Sequence, residues 1–446
     1  MKQTAVVLTE GSIPRQITRF AMPIFYGNLF QQLYNVVDSL VVGNYVGKSG
    51  LAAVTSTASL IFLLVGLFSG MFMGAGVVIS KYFGAGDERA VKETIHTSIA
   101  FGLVCGLILT VVGAVATPSI LRLMKTPESV LPNAILYVRI YFLGILSVVL
   151  FNTASGIFSA IGDSKRPLHF LIISSIINVA LDMLFVAKLN MGVSGAAYAT
   201  IISQFISAFL GFFYLARLKA SYRVSLREIK FHGGYLREIL KMGIPSGIQN
   251  SVIAIANIVV QSSINIFGDC ASAGCGSYSK LEGFAFIPIT SFSLAMTTFI
   301  SQNLGAKKYD RARAGAKFGI LTSMALAELV GLIFFLFPEP LVSLFNREPE
   351  VIAFGVMQMR TESLFFCLLA FSHALAGILR GSGKSIVPMA VMLLCWCIIR
   401  VTYVTTMLSF FHTIKVVFWA YPLTWSLSSI IFLTYYKKSN WVHGLD

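Results

Sequence analysis

The chain has 446 residues, of which 56% are hydrophobic and only 12% charged, with a formal net charge of +15 and a mean hydropathy of +0.79. Such a length would suit two or three soluble domains, but this composition excludes them: apolar runs of about 20 residues, long enough to cross a bilayer as helix, recur from end to end. Nor does the positive charge describe a nucleic-acid groove, because the basic residues sit in short loops between the runs.

Residues 1–12 are polar and lack the apolar core of a signal peptide, so the first run reads as a span. Twelve spans are expected, near 16–41, 53–80, 94–117, 134–159, 168–187, 195–216, 243–266, 276–303, 314–337, 353–379, 388–410 and 418–436. The fold class is an all-α polytopic membrane protein. With the amino terminus inside, the outer loops hold only Lys48, Arg122, Lys125, Lys188, Arg347 and Lys415, and every other loop cation faces the cytoplasm. That asymmetry places both termini in the cytoplasm.

The first span carries Asn28, Gln31, Asn35 and Asp38 at i, i+3, i+7 and i+10, one polar stripe on a helix. An acid within a span costs about 2.5–3.5 kcal/mol on insertion scales, so it faces a cavity or a partner. Asp38 is thus either a structural acid bonded to a neighbouring helix or part of an ion site.

The basic interval 217–242 is the longest polar stretch and divides a lobe at 1–216 from a second at 243–446. It is read as a cytoplasmic linker, either solvated or touching anionic headgroups. The two lobes repeat. Ile17–Pro23 matches Ile239–Pro245 at an offset of 222, Ser80–Ala85 matches Ser301–Ala306 at 221, and Gly156, Gly162 and Pro167 match Gly377, Gly383 and Pro388 at 221. Six spans per lobe make the repeats parallel, so two six-helix lobes are expected around a central cleft.

In the fifth span Asn178 and Asp182 lie at i, i+4, and the sixth brings Thr200 and Gln204 at the same spacing. Asp38, Asn178, Asp182 and Thr200 together form a candidate site for a hard cation or a proton. Two neighbouring carboxylates resist being ionised together and so share a proton. The repeat supplies an internal control: Asp38 corresponds to Val260, Asn178 to Ile399, Asp182 to Tyr403 and Thr200 to Tyr421. The fold is duplicated and the acids are not, which favours a functional role over a structural one.

In the second lobe Asn250, Asn257 and Gln261 continue a polar stripe without an acid, suited to substrate contact or to interhelical hydrogen bonds. Glu282 is read as a contact for a cationic substrate or as the partner of Arg400 or Lys280. Met296, with Phe284, Phe286 and Phe292, suits either a drug cavity or plain packing. Arg139, Glu328, Arg360, Glu362 and His373 read as structural groups that pair or snorkel. Cys105, Cys367, Cys395 and Cys397 read as small buried side chains, and Cys270 and Cys275 stand close enough in sequence for a disulfide. Gly381–Ser385 contains Gly-Lys-Ser without the spacing of a phosphate loop, and no HExxH or paired-cysteine zinc motif occurs. ATP-driven transport and proteolysis therefore have no support. The chain is read as no enzyme, with no cofactor and no metal beyond a coupling H⁺ or Na⁺.

The chain resembles the multidrug and toxic compound extrusion (MATE) family of cation-coupled efflux carriers. The resemblance rests on Pro23, the run Val37–Gly47, Gly84-Ala85, Gly162-Asp163, Pro167, Asn178 with Asp182, and Gly192–Ala197, in that order along nearly the whole chain. It implies a V-shaped pair of lobes and extrusion of amphipathic, often cationic, compounds against inflow of H⁺ or Na⁺. It implies a first-lobe cation site at Asp38, Asn178, Asp182 and Thr200. One branch of the family places its essential acids in the carboxyl lobe, and Val260 at the counterpart of Asp38 departs from that pattern. The expectation is a monomeric secondary antiporter in the plasma (inner) membrane, with small amphipathic molecules and the bilayer as partners and no nucleic acid. A flippase of a lipid-linked saccharide precursor is the alternative.

Overall fold

The computed structural model describes residues 7–46, 48–123, 128 and 130–445, and among these every regular element is helical. Helix is what an apolar chain adopts in lipid, because only helix satisfies each backbone polar group within its own segment. Twelve spans follow one another among the described residues. They are α1 (Ile13–Tyr45), α2 (Lys48–Ala85), α3 (Glu88–Leu123), α4 (Leu131–Leu143 continued by Ile145–Ala160), α5 (Lys165–Lys188) and α6 (Gly192–Ala216). The second set is α7 (Gly233–Asn265), α8 (Asp269–Gly305), α9 (Tyr309–Leu336), α10 (Pro349–Gly381), α11 (Ile386–Phe410) and α12 (Lys415–Lys438).

Ten of these helices are long and apolar enough to cross a membrane, and the two pieces of α4, bent by 49° at Gly144, make an eleventh. A Cβ on Gly144 would lie 2.3 Å from Ile201 Cγ2, so the bend lets α4 press against α6. The first helix, α1, has the length, with 33 residues. Its polar stripe lowers its apolarity below that of the others.

Two compact units divide the chain, but not at the linker. The first comprises Tyr26–Gly247; the second comprises Leu8–Phe25 with the residues from Ile248 onward. Each unit thus takes the leading part of the other half's first helix. Both changes of unit fall two residues after a proline inside a helix, Pro23 in α1 and Pro245 in α7. These prolines are repeat partners. Each removes a donor and frees the carbonyl four residues earlier, so the helix changes allegiance where its own ladder is weakest.

Polar contacts hold each exchanged segment in its unit. In the second, the Arg311 guanidinium donates to the carbonyls of Leu8, Glu10 and Gly11 at 3.2, 2.7 and 2.6 Å, and Lys308 Nζ donates to Thr9 O at 3.0 Å. In the first, Tyr82 Oη donates to Glu238 Oε1 at 2.7 Å and Lys81 lies 3.6 Å from the same carboxylate. The interval expected as a free linker also lies on the first unit. Lys92 of α3 bonds Glu228 at 2.7 Å, Ser225 N donates to His96 Nε2 at 3.1 Å, and His232 N donates to Thr97 Oγ1 at 3.2 Å. The Lys92 ammonium holds the Glu228 carboxyl below its ordinary range.

The tightest crossing in the first unit is between α2 and the first part of α7. Gly70 and Gly74 meet Gly243 and Gly247, each pair one turn apart. A Cβ on Gly70 would stand 2.0 Å from Gly247 N, and one on Gly74 2.4 Å from Gly243 N. Small residues at this spacing let two backbones touch where lipid offers no hydrophobic drive to associate. Gly74→Val should therefore destabilise the purified protein by about 3 kcal/mol, the upper end of the usual overpacking range. Gly76→Ala, where no heavy atom lies within 4 Å of the added carbon, should leave the melting temperature in detergent unchanged. Equal melting of the two variants would refute the crossing.

Candidate functional site

Within the first unit three helices converge on a group of ionisable side chains. Tyr34 and Asp38 lie one turn apart on α1, Tyr137 and Tyr141 one turn apart on α4, and Asn178 and Asp182 one turn apart on α5. The Asp38 and Asp182 carboxyls lie side by side. The hydroxyls of Tyr34 and Tyr137 sit within electrostatic reach of both, and Tyr141 stands beside the two tyrosines. Asp182 is 0% exposed and Asn178 1%.

The site is fixed by an apolar frame. Val37, Val41 and Val42 of α1 pack with Tyr137 and Val138 of α4, Val186 of α5, and Val193, Ala196 and Ala197 of α6 in one cluster. The alanines bring α6 close, and the β-branched residues have few rotamers to lose. Asp182 ends the regular α-helical part of α5, and Met183–Lys188 continue as π-helix. Such widened turns recur at functional sites.

What distinguishes the group is how little satisfies it. Asp38 Oδ1, both oxygens of Asp182, and both polar atoms of the Asn178 amide are buried without a hydrogen-bond partner. A buried polar group left in this state costs about 1–3 kcal/mol, and more when charged. A protein retains that cost where something else completes the site. The donor set, two carboxyls and an amide oxygen, consists of hard oxygens that suit a proton or an alkali cation. No cluster of three His, Cys, Asp or Glu side chains able to hold a metal ion occurs among the described residues.

Thr200 stands apart from this bonding. Its hydroxyl donates to Ala196 O at 3.0 Å and makes no hydrogen bond to Asn178 or Asp182. Along the α1 stripe, Gln31 lies against the Tyr34 hydroxyl, Asn28 is half-buried, and Asn35 is exposed with its carbonyl taken by Ser39 Oγ at 2.9 Å. The three tyrosines escaped sequence reasoning. Their available signal was the i, i+4 pair Tyr137 and Tyr141 in the fourth span.

The second unit tests the repeat in space. Val260, Tyr403 and Tyr421, the counterparts of Asp38, Asp182 and Thr200, pack together in one apolar cluster. The corresponding positions thus do converge, and in this half they are filled with hydrocarbon and phenol. The second half is not free of buried acids, however. Glu362 of α10 corresponds to Tyr141, and Gln358 to Tyr137. Both oxygens of Glu362 are bonded, to Tyr278 Oη at 3.0 Å and Gln358 Nε2 at 2.9 Å. Arg400 follows the π-helical stretch Leu393–Ile399, donates to Thr424 Oγ1 at 2.9 Å and lies 4.4 Å over the Tyr421 ring. This second cluster is closed where the first is open.

Of the remaining second-lobe residues, Glu282 is half-buried within electrostatic reach of Arg400, and Lys280 lies over the Phe345 ring at 5.6 Å. Met296 is fully buried against Gly319, where an added Cβ would meet its sulfur at 2.1 Å, the environment of a packing residue. Gln261 Nε2 donates to Asn265 Oδ1 at 3.0 Å, which also accepts from Ser272 at 2.9 Å, so Gln261 braces the turn into α8. Asn250 is half-buried and Asn257 exposed. Cys270 and Cys275 are both free thiols.

A duplicated bundle of long apolar helices with a buried, incompletely bonded acid pair defines a polytopic membrane transporter. The MatE family model matches residues 23–184 and 245–428, and the chain belongs to that family. The Bacillus subtilis "Probable multidrug resistance protein YpnP" is 28% identical over 433 residues, covering 97% of each chain. The Thermotoga maritima "Probable multidrug resistance protein NorM" is 26% identical over 406 residues, 90% of this chain and 87% of that one. The fold is that of a MOP superfamily transporter from Pyrococcus furiosus, with a TM-score of 0.91 over 98% of this chain and 100% of the other at 22% identity.

The contrast between the two acid clusters has a measurable consequence. Asp182→Asn replaces a carboxyl whose buried oxygens lack a hydrogen-bond partner, so its melting temperature should equal or exceed that of the wild type. Glu362→Leu strands the Tyr278 hydroxyl and the Gln358 amide and should cost about 1–3 kcal/mol. Thermal unfolding in detergent, followed by tryptophan fluorescence, separates the two, and a larger loss at Asp182 would reverse the assignment.

Proposed function

We propose that this chain is a secondary antiporter that exports amphipathic, cationic small molecules in exchange for H⁺ or Na⁺ bound at Asp38 and Asp182. The observation that carries the reading is that these two carboxyls lie side by side, with three of their four oxygens buried and without a hydrogen-bond partner. A proton needs only the facing carboxyls. The Asn178 amide oxygen adds a third donor suited to Na⁺. Export of drugs or metabolites accords with the relatives named as multidrug resistance proteins. The cation bias of the loops supports a plasma membrane protein with both termini in the cytoplasm, and we read it as a monomer without nucleic-acid partners or a cofactor.

In this mechanism an external cation neutralises the acid pair. The gain changes the packing of α1, whose leading turns belong to one unit and whose acid-bearing turns belong to the other. Bending near Pro23 is the softest response available to that helix. Outward release of substrate follows, and the carrier returns to accept another. One charge crossing ~100 mV yields about 2.3 kcal/mol, and a unit of pH difference adds about 1.4 kcal/mol per proton. Together they support a gradient of several hundred-fold, roughly, per exchanged charge. The flippase reading is weaker. It needs free intramembrane cations for a pyrophosphate, whereas Arg400 is held by Thr424 and Tyr421 and Arg139 donates to Ala114 O at 3.4 Å.

Ethidium efflux from proteoliposomes, driven separately by a pH gradient and a sodium gradient, tests the proposal. Wild type should export under one gradient, and Asp38→Asn should lose at least about tenfold of that rate, the size of a lost coupling of 1.4 kcal/mol, while folding normally. Undiminished coupled efflux in Asp38→Asn and Asp182→Asn would sink it.

A further inference from the structure

Apart from the acid clusters, the second unit has a groove with no role in the mechanism above. It has a volume of about 550 Å³ and lies between the first turns of α9 and the end of α12, closed by the segment that follows. Arg313 and Lys317 reach it from successive turns of α9 and Lys437 from the last turn of α12. No acid lines it. Asp310 lies 3.2 Å from Arg313 and offsets that charge in part. Neither Lys317 nor Lys437 forms an ion pair among the described residues, and both are exposed.

Two further features make this more than a basic patch. Ser439 lines the groove, and its hydroxyl is buried without a hydrogen-bond partner. Trp441 folds back and stacks on Tyr436 with centroids 5.3 Å apart and planes at 23°, forming an aromatic wall. On the side towards the middle of the span the groove continues over Ile320 and Leu321, and Leu321 is 57% exposed. Cations, a hydroxyl donor and interfacial aromatics thus give way, along one helix, to hydrocarbon. The sequence of surfaces matches the sequence of parts in a phospholipid: a charged phosphodiester at the interface and an acyl chain beyond it.

We propose that this groove is a binding site for an anionic glycerophospholipid, its phosphate held by Lys317, Lys437 and the Ser439 hydroxyl and its chain lying on Ile320 and Leu321. The larger groove of about 750 Å³ between α10 and α12 has Arg360 and Lys415 beside Glu339 and lacks this single sign of charge. The lipid site does not depend on which ion or substrate the carrier moves. A free phosphate ion shares the headgroup chemistry but gains nothing from the apolar floor.

The purified full chain in detergent is titrated with phosphatidylglycerol, phosphatidylcholine and inorganic phosphate, and retained lipid is counted by native mass spectrometry alongside thermal shift. Wild type should bind phosphatidylglycerol and shift upward, with little response to phosphatidylcholine or phosphate. Each cation near a membrane surface contributes about fivefold in affinity. Lys317→Gln with Lys437→Gln should therefore weaken phosphatidylglycerol binding about 30-fold. A charge-matched control, Lys219→Gln with Lys230→Gln, should change it by less than about twofold if the attraction is local. Equal losses in the two double variants would show diffuse attraction and overturn the site. So would equal binding of phosphatidylcholine, or a thermal shift from phosphate alone as large as from the lipid.

Discussion

The structure turns on two carboxyl groups held against each other inside an apolar bundle, three of their four oxygens buried without a hydrogen-bond partner. Such an arrangement is stable only if the surrounding framework is stiff enough to prevent collapse around it. That stiffness is visible in the valines and alanines that lock α1, α4, α5 and α6 together. The same framework delivers Tyr34 and Tyr137 to within reach of both acids. Phenols there offer donors and acceptors without adding charge, so a bound cation would meet the negative charge of the carboxyls.

The duplicated half shows what the scaffold does when the acids are closed off. Positions equivalent to the acid pair pack as an apolar cluster around Val260. The buried acid moves to α10, where Glu362 is doubly bonded and shares its surroundings with Arg400. Each π-helical stretch abuts an ionisable group, Asp182 before one and Arg400 after the other. The same bundle thus supports an unsatisfied acid pair in one half and a satisfied, partly neutralised group in the other. A structural requirement of the fold would have appeared in both.

Much of this was legible in the chain. Span count followed from apolar run length, because lipid leaves the backbone no alternative. Helical spacing placed Asp38 on one polar stripe and Asn178 with Asp182 on another, and the failure of the repeat to preserve the acids singled them out. The tyrosines were not legible, since a phenol in a chain with 36 Phe and 16 Tyr reads first as packing. Met296 and Gln261 show the converse: spacing put them on a plausible face, and only three-dimensional neighbours reveal a core sulfur and a turn brace. The exchange of leading segments between units was also hidden. Its one trace was the matched Pro23 and Pro245, which say where a helix is weak but not what it packs against. Basic residues of the linker advertised solvent or headgroups, while His96, Thr97 and Lys92 of α3 supplied partners from more than a hundred residues away.

The energetics also constrain how the site must work. Carrying a two-state protein from 1:99 to 99:1 takes about 5.5 kcal/mol of differential binding, and a ligand with equal affinity for both states shifts nothing. In the proposed exchange, the driving ion would supply less than that per charge from the membrane gradients alone. The remainder has to come from the site, where five buried polar atoms stand unbonded at about 1–3 kcal/mol each. Satisfying even two or three of them in one state and not the other closes the gap. That demands that the tyrosine-lined surroundings of Asp38 and Asp182 differ between states. The helix most suited to make that difference is α1, which carries both Tyr34 and Asp38 beyond its proline and is anchored before it to the other unit by Arg311.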